Sequence, residues 1–427
     1  MWKMKDSGIA WIGEIPETWK VRRGKILFME KKELSSNGKE ELLTVSHITG
    51  VTPRSQKNVN MFLATSLVGY KICKVGDIAS NTMWMWQGAI GVSKYDGVIS
   101  PSYNVYTQRN GDYDNNYLDF LLRTPPMVSA YRIHSTGITE SRLRLYPENF
   151  LDLPFVVPPM DEQLKIVHFL SKKTRAINAQ IEEEEHLIDR LTAYKQSLIT
   201  ETVTNGLHPE SARKDSGVEW IGEIPETWCV HKMGWSYDIE LGKMLDEKRI
   251  DTYNTKRYLR NSDVQWGYIN LDDLNEMTFR PEELERYHVM TGDLLVCEGG
   301  EIGKCAIVPD DFPDDVYYQK ALHRIRTREG QNGNVRFLSY VLFCMAKNQC
   351  FTTSSDKATI AHLTGEQLKA TKVPFPPAGE QREIAAFLDA KCAAIDDDIA
   401  KRRALISRLS DYKRSMIYEV VTGKREV

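Results

Sequence analysis

The chain has 427 residues, 41% of them apolar and 27% charged, enough to bury the cores of two to four domains of ordinary size. No run of about 18 apolar residues occurs, and the polar start from Met1 to Asp6 opens no hydrophobic leader, so neither a membrane span nor a secretory signal is expected. A net charge of −3 excludes a uniformly basic nucleic-acid binder but leaves room for local basic patches.

The first element is also the most telling. Residues 6–21 read DSGIAWIGEIPETWKV, and residues 215–230 read DSGVEWIGEIPETWCV. A match of this length marks duplication of a unit of roughly 210 residues, far too long for a solenoid repeat, so two domain-sized halves are expected. A second repeated block follows each half. It opens with Pro158-Pro159-Met160-Asp161-Glu162-Gln163 and again with Pro376-Pro377-Ala378-Gly379-Glu380-Gln381. From there to Thr204 and Thr422 roughly half the positions match at a constant offset. The resulting boundaries are 1–21 and 215–230 for the short constant segments, 22–153 and 231–373 for the variable segments, and 154–214 and 374–427 for the constant helical blocks.

Each helical block carries apolar residues at steps of three and four over about five heptads, without Pro or Gly inside. Ile177 and Leu191 in the first, and Ile395 and Leu409 in the second, lie in this stripe and are expected to meet across a coiled coil. Gly206 and Gly423 stand where helix stops are needed. Such a helix, about 40 residues long, would measure about 60 Å. The charges indicate the pairing. Glu182-Glu183-Glu184-Glu185 occupies the middle of the first helix, and Lys401-Arg402-Arg403 the middle of the second. Glu184 and Arg402 fall within the stripe, so first-with-second pairing is complementary and either self-pairing is repulsive. An antiparallel pair lets both ends of the second variable segment meet at one place. The fold class expected is therefore α+β: two mixed globular domains joined by a long antiparallel two-helix coiled coil, duplicated about a pseudo-twofold.

The variable segments alternate short apolar runs with Gly, Asp and Asn turns. Val75-Gly76-Asp77-Ile78-Ala79 followed by Gly88-Ala89-Ile90-Gly91-Val92 has a counterpart in Thr291-Gly292-Asp293-Leu294-Leu295 followed by Gly300-Glu301-Ile302-Gly303-Lys304. Both predict strand, loop, glycine turn, strand. The loops between them differ most, Ser80 to Gln87 against Val296 to Gly299. The second glycine turn lacks the spacing of a phosphate loop. Hydrolase, zinc-protease, adenine-methyltransferase and nuclease motifs are missing, and the acidic run Asp310 to Asp315 reads as a solvated loop. The seven cysteines, Cys73, Cys229, Cys297, Cys305, Cys344, Cys350 and Cys392, form no C-x2-C or C-x4-C pair, which predicts reduced cytoplasmic thiols and neither a disulfide frame nor a metal site.

The chain therefore reads as a binder. Its first variable segment carries +4 and its second −3, so DNA binding by the second needs focused local positives. Candidate DNA contacts, chosen by side-chain chemistry, are Arg54, Lys57, Asn81, Trp84, Gln87, Arg132, Arg142 and Arg144 in the first segment. Arg260, Asn261, Lys304, Lys357 and His362 are those of the second. Arg, Asn, Gln and His read base edges, while Lys settles on phosphates.

The W-I-G-E-I-P-x-x-W segments at 11–19 and 220–228, P-P-x-x-E-Q at 158–163 and 376–381, and R-L-x-x-Y-K at 190–195 and 408–413 together resemble the specificity subunit of type I restriction–modification systems over the whole length. The resemblance implies two target recognition domains, each reading one half of a split, asymmetric sequence in double-stranded DNA, with the helices as a ruler for the spacer. It also implies two modification (adenine-methyltransferase) subunits and restriction/translocase subunits as partners. S-adenosylmethionine, ATP and Mg2+ would reside on those partners and no cofactor on this chain, which would itself be non-catalytic and prokaryotic-cytoplasmic, joining the nucleoid when on DNA. Other readings are a catalytic subunit in its own right, a coiled-coil scaffold without DNA selectivity, and a specificity protein of another methylation-linked defence system.

Overall fold

The computed structural model describes residues 2–9, 11–57, 66–139, 142–208, 210–245, 255–351 and 362–427. The chain divides into two compact units: Met1–Glu185 with Arg403–Val427, and His186–Arg402.

In the first unit, Met4–Asp6 and Glu14–Pro16 form an antiparallel hairpin, with Met4 opposite Pro16. Gly8 takes a left-handed φ of 69° in its turn, and the Asp6 carboxylate accepts from its amide at 2.9 Å. Lys20–Arg23 then pairs antiparallel with Pro154–Val157. The variable segment therefore leaves and returns at one place. Between these strands lies a four-stranded antiparallel sheet in the order Phe28–Lys31, Asn104–Gln108, Ile78–Ser80, Ile90–Val92. Side chains alternate across it with the period of two that a strand imposes. Ile78 and Tyr106 enter a core shared with the helices Asn115–Leu122 and Pro125–His134. Their neighbours Ala79 and Val105 enter a smaller core with Leu43, Val45, Val51, Cys73 and Ile99.

The second unit repeats this plan in a sequence that has largely diverged. Arg213–Asp215 and Glu223–Pro225 form the hairpin, and Cys229–Lys232 pairs with Lys372–Phe375. The sheet order is Tyr237–Leu241, Leu322–Thr327, Leu294–Cys297, Cys305–Ile307. Leu294 and Val296 point to one core, Leu295 and Cys297 to the other. The sheet's Gly-Asp signature has the same role in both units. Asp77 and Asp293 are buried, accept from the backbone amide three residues earlier at 2.8 and 2.7 Å, and pair with Lys31 and Arg326 respectively. This unit adds a three-stranded sheet, Asn275–Thr278, Thr255–Leu259, Val316–Tyr318, whose second pairing is parallel.

The two long helices are Met160–Asn205, of 46 residues, and Ala378–Val421, of 44. In the first unit Ile166, Leu170 and Ile177 share a core with Met416, Val420 and Val421. In the second, Ile199 and Val203 share one with Ile384 and Leu388. The start of one helix thus packs on the end of the other, and the pairing is antiparallel as expected. Ile177 and Ile395 are buried, while Leu191 and Leu409 are half-buried. Glu184, in the first unit, and Arg402, in the second, are half-buried on their stripes. Arg402 pairs with Asp398 of its own helix at 3.6 Å. Gly206 and Gly423 both take φ of 73° at the helix ends, the conformation that stops a helix and favours glycine. The seven cysteines are all free thiols, five of them buried.

Candidate nucleic-acid interface

Both repeated motifs first serve to fix each variable segment on its helix. The indole N–H of Trp19 donates to Glu162 at 2.7 Å, and that of Trp228 donates to Glu380 at 2.9 Å. Both tryptophans are buried. The adjacent glutamines are fully buried and act as clamps. The Gln163 amide donates to the Asp112 and Pro158 carbonyls, both at 2.9 Å, and accepts from the Asp114 amide at 2.9 Å. The Gln381 amide donates to the Asn332 and Pro376 carbonyls at 3.3 and 2.8 Å and accepts from the Asn334 amide at 2.9 Å. Asp114 and Asn334 are the N-caps of Asn115–Leu122 and Val335–Lys347. A rigid mount of this kind leaves the loops at the sheet's end free to differ.

In the first unit the loop between the third and fourth strands of the sheet ends in Met83 and Trp84, which are 42% and 48% exposed. Trp84 stacks on Trp86 with ring centroids 6.3 Å apart, and the Trp86 indole donates to the Met83 carbonyl at 3.1 Å. A cavity of about 250 Å³ beside this tip is lined by Thr82, Met83, Ser102, Asn104, Arg144 and Tyr146. Thr136 and Arg144 exchange two backbone hydrogen bonds of 2.9 Å, closing the polar loop that carries Arg142. Met83 of the tip and Arg144 therefore line one concavity, with the exposed Trp84 next to Met83 in the chain. Arg142 and Arg132 are exposed nearby in the chain, and Gln87 is half-buried at the foot of the loop.

Asn81 corrects the sequence-based expectation. It is buried, donates to the Tyr103 hydroxyl at 2.9 Å and accepts from the Met83 amide at 3.2 Å. Its amide shapes the loop and is not presented outward. Arg54 is half-buried, and its charge acts on Tyr103, whose phenol burial nevertheless pushes up. Lys57 is half-buried, and desolvation lowers its pKa. Tyr103, Tyr146 and Met83 were not among the candidates chosen by sequence. They are neither charged nor amide-bearing; only the fold brings Tyr146 and Met83 to the concavity and Tyr103 onto Asn81.

In the second unit the corresponding tip is Glu298-Gly299-Gly300, with little side chain to present. Asn261 donates to the Gly299 carbonyl at 2.8 Å. The exposed His362 lies so close that a Cβ on Gly299 would be 3.3 Å from its Nδ1. Asn261 and His362 are thus brought together around the tip. Lys304 reaches Gln265 at 3.4 Å. Arg260 is another correction: its guanidinium is held by Asp263 at 2.9 Å and by the Asp273 carbonyl at 3.1 Å, so it braces a turn. The Asp263 partner raises its pKa further. Lys357 lies outside the described residues. The glycine segment is a turn between the strands Leu294–Cys297 and Cys305–Ile307, as expected, and Glu301 anchors it. Glu301 accepts from Trp266 at 2.7 Å and from Lys347 at 2.8 Å. Burial works to raise its carboxyl, but these two donors hold it below the usual range.

Comparison with known proteins agrees with this geometry. Residues 225–403 match the family model described as the type I restriction modification DNA specificity domain. The type I restriction enzyme MjaVIII specificity subunit of Methanocaldococcus jannaschii is 26% identical over 347 residues, covering 78% of this chain and 75% of the relative. A relative of the same organism, provisionally designated the type I restriction enzyme MjaX specificity subunit, is 23% identical over 436 residues, covering 97% and 96%. By these matches the chain is similar to type I restriction–modification specificity subunits. A chain from a solved structure of a type I restriction–modification system, described for its complex assembly and conformational transition, has the same fold. It aligns with a TM-score of 0.73 at 14% identity over 96% of this chain and 99% of its own. The matched family domain falls mostly within the second unit, and the first unit repeats its sheet order strand for strand. What separates the units is the chemistry at the sheet's end: an aromatic tip with arginines in one, a glycine tip with Asn261 and His362 in the other.

Proposed function

We propose that this chain is the sequence-reading subunit of a type I restriction–modification complex, and that each unit reads one half of a bipartite, asymmetric target in double-stranded DNA. The observation that carries this reading is the contrast within each unit. Hairpin, sheet order, tryptophan–glutamate bond and glutamine clamp are the same twice over, while the loops mounted on them differ in length, charge and aromaticity. A shared mount with divergent tips is what two readers of unlike sequences require. The first unit's Trp84 and Arg144 supply stacking and base-edge or phosphate chemistry, and the second unit's Asn261 and His362 supply amide and imidazole.

The chain's own residues bind and orient; the chemistry belongs to partners. Methyltransferase subunits would bring S-adenosylmethionine, and restriction/translocase subunits ATP and Mg2+. Among the described residues no three His, Cys, Asp or Glu gather as a metal site, and no helix is long and apolar enough to cross a membrane. A cytoplasmic complex working on the nucleoid fits this reading. The test is the methylated motif in DNA from cells expressing this chain with its cognate methyltransferase. Replacing residues 22–153 by the corresponding segment of another specificity subunit should change one half of the motif only. A change in both halves, or in neither, removes the two-reader assignment.

A further inference from the structure

The strands Leu43–Ser46 and Gly50–Pro53 form an antiparallel hairpin whose turn, 46–50, is braced from within and from below. The Ser46 hydroxyl accepts from the Ile48 and Thr49 amides, both at 3.2 Å. The half-buried Arg123 donates from its guanidinium to the His47 carbonyl at 3.2 Å and to the Ile48 carbonyl. Arg123 is the C-cap of Asn115–Leu122, the helix whose N-cap Asp114 is held by the Gln163 clamp. The turn is thus tied through one helix to the long helix of its unit. What it presents outward is His47, Ile48 and Thr49, all exposed, with Ile48 at 73%. Fixing an isoleucine in open solvent gains the free protein nothing in burial, so the bracing points to a contact made by this surface.

The turn stands beside the aromatic loop. That loop leaves the sheet at Ser80 and returns at Ile90, and these two residues pair across the strands. A Cβ on Gly50 would lie 3.9 Å from the Ile90 carbonyl oxygen, and one on Gly91 would lie 3.3 Å from the Gly50 Cα. The second unit has the same connection in longer form. There Thr255–Leu259 pairs parallel with Val316–Tyr318, as Leu42 does with Val98 in the first unit, and Asn261 just beyond it bonds the glycine tip. Equivalent connections therefore reach the sheet's end in both units.

We infer that the turn is a second reading element of the first unit, with His47 and Ile48 as specificity-determining side chains that meet base edges in the major groove. The inference rests on the two-reader function proposed above. An imidazole exchanges hydrogen bonds with a purine edge, and an isoleucine packs against the methyl group of thymine. The turn carries no acid to repel phosphates. Arg123 is a positioning residue, committed to the carbonyls of the turn.

The test is methylation by the full complex of this chain with its cognate methyltransferase, on duplexes substituted one base pair at a time across the motif. The half-site of the first unit is the one that exchange of residues 22–153 changes. His47→Ala and Ile48→Ala should each relax discrimination at one or two neighbouring positions of that half-site by about 5- to 100-fold, and leave the other half-site as selective as before. Arg123→Met should relax the same positions. Ile26→Ala, which removes an isoleucine 50% exposed beside the mount strand Lys20–Arg23, should relax none. Melting profiles of the two turn variants should match the wild type, because the side chains removed are exposed. Unchanged discrimination in both turn variants would overturn the second reading element and leave the proposed function intact. An equal loss of rate on every duplex, or relaxation confined to the other half-site, would overturn it too. A wild-type complex without sequence preference would instead overturn the functional reading beneath it.

Discussion

Lys195 on the first long helix bonds both carboxylate oxygens of Asp396 on the second, at 2.7 and 2.6 Å. In the other unit Lys413, the lysine of the repeated motif, makes the equivalent bond to Asn178 at 2.9 Å. Position 178 in the first helix corresponds to position 396 in the second, so one pin recurs with a charged acceptor in one unit and a neutral one in the other. Lys195 is mostly covered but Asp396 is largely exposed, so solvent screens the pair. A double-mutant cycle of Lys195→Ala and Asp396→Ala, read by thermal melts, should give a coupling of about 0.5–1 kcal/mol that shrinks in high salt. Asn178→Asp should stabilise the first unit by about 0.5 kcal/mol, because it gives Lys413 the charged acceptor that Lys195 already has. A coupling of zero would show that the pins do not form in solution.

Gln381 presents a larger effect. Its amide is fully buried and makes three bonds to backbone. Gln381→Ala leaves two carbonyls and one amide without partners in the interior, at a cost of about 3 kcal/mol or more. Gln381→Glu should be at least as damaging, since an ionised carboxylate would face the Pro376 and Asn332 carbonyls. Hydrogen exchange supplies the check: the amides at the start of Val335–Lys347 should lose protection in both variants, while those of the first unit keep theirs.

Much of this mount was legible in the sequence. The duplication, the two long helices, their antiparallel pairing, the glycine stops and the strand–loop–strand signature around Asp77 and Asp293 all follow from repeats, periodicity and turn chemistry. Those signals are local, or are copies of one another. The glutamine clamp was visible only as a repeated Glu-Gln pair. Its partners at Asp112–Asp114 and Asn332–Asn334 lie about 50 residues away in segments that share little sequence. The individual DNA contacts were least legible. Asn81 and Arg260 have the right chemistry for reading bases, yet Tyr103 and Asp263 claim them, and such competition is decided by tertiary contact rather than residue type.

Gly423 combines a left-handed φ of 73° with a close approach: a Cβ there would lie 2.3 Å from Pro16 Cδ and 3.1 Å from the Trp19 ring. Gly8 has a similar φ of 69° but open space around it. Gly8→Ala should therefore cost about 1 kcal/mol, the backbone effect alone. Gly423→Ala should cost roughly 2–4 kcal/mol because proline and tryptophan must also shift. Equal losses in thermal melts of the two variants would contradict the packing of the second helix's end on the first unit's hairpin.

His323 should make the second unit acid-sensitive. It is fully buried on the sheet, its Nε2 donates to the Leu363 carbonyl at 2.7 Å, and burial holds its pKa below the ordinary 6.5. The unfolded chain then binds a proton that the folded unit resists, so stability contributed by the neutral ring is present above about pH 6.5 and is lost as the pH falls below it. The unfolding midpoint of the second unit should drop more steeply between pH 6.5 and 5 in the wild type than in His323→Gln. Parallel slopes would mean that the ring titrates in the folded unit as it does in the unfolded chain.

The ruler can be tested by insertion. The two lysine pins are 17 residues apart on each helix, from 178 to 195 on the first and from 396 to 413 on the second. Insertions near Ala179 and near Asp397 both fall between the pins and at exposed positions. Adding four residues at each site keeps the two helices matched, with the pins now 21 residues apart on both. The rise of 1.5 Å per residue lengthens each helix by about 6 Å, and four residues make close to one full turn, so the stripe stays roughly in phase. With about 3.4 Å per base pair along DNA, the spacer in the methylated motif should grow by one or two base pairs while both half-sites stay the same. An insertion in the first helix alone breaks the match and should abolish methylation. An active double insertion that methylates the original spacing would show that the helices do not set the distance between the half-sites.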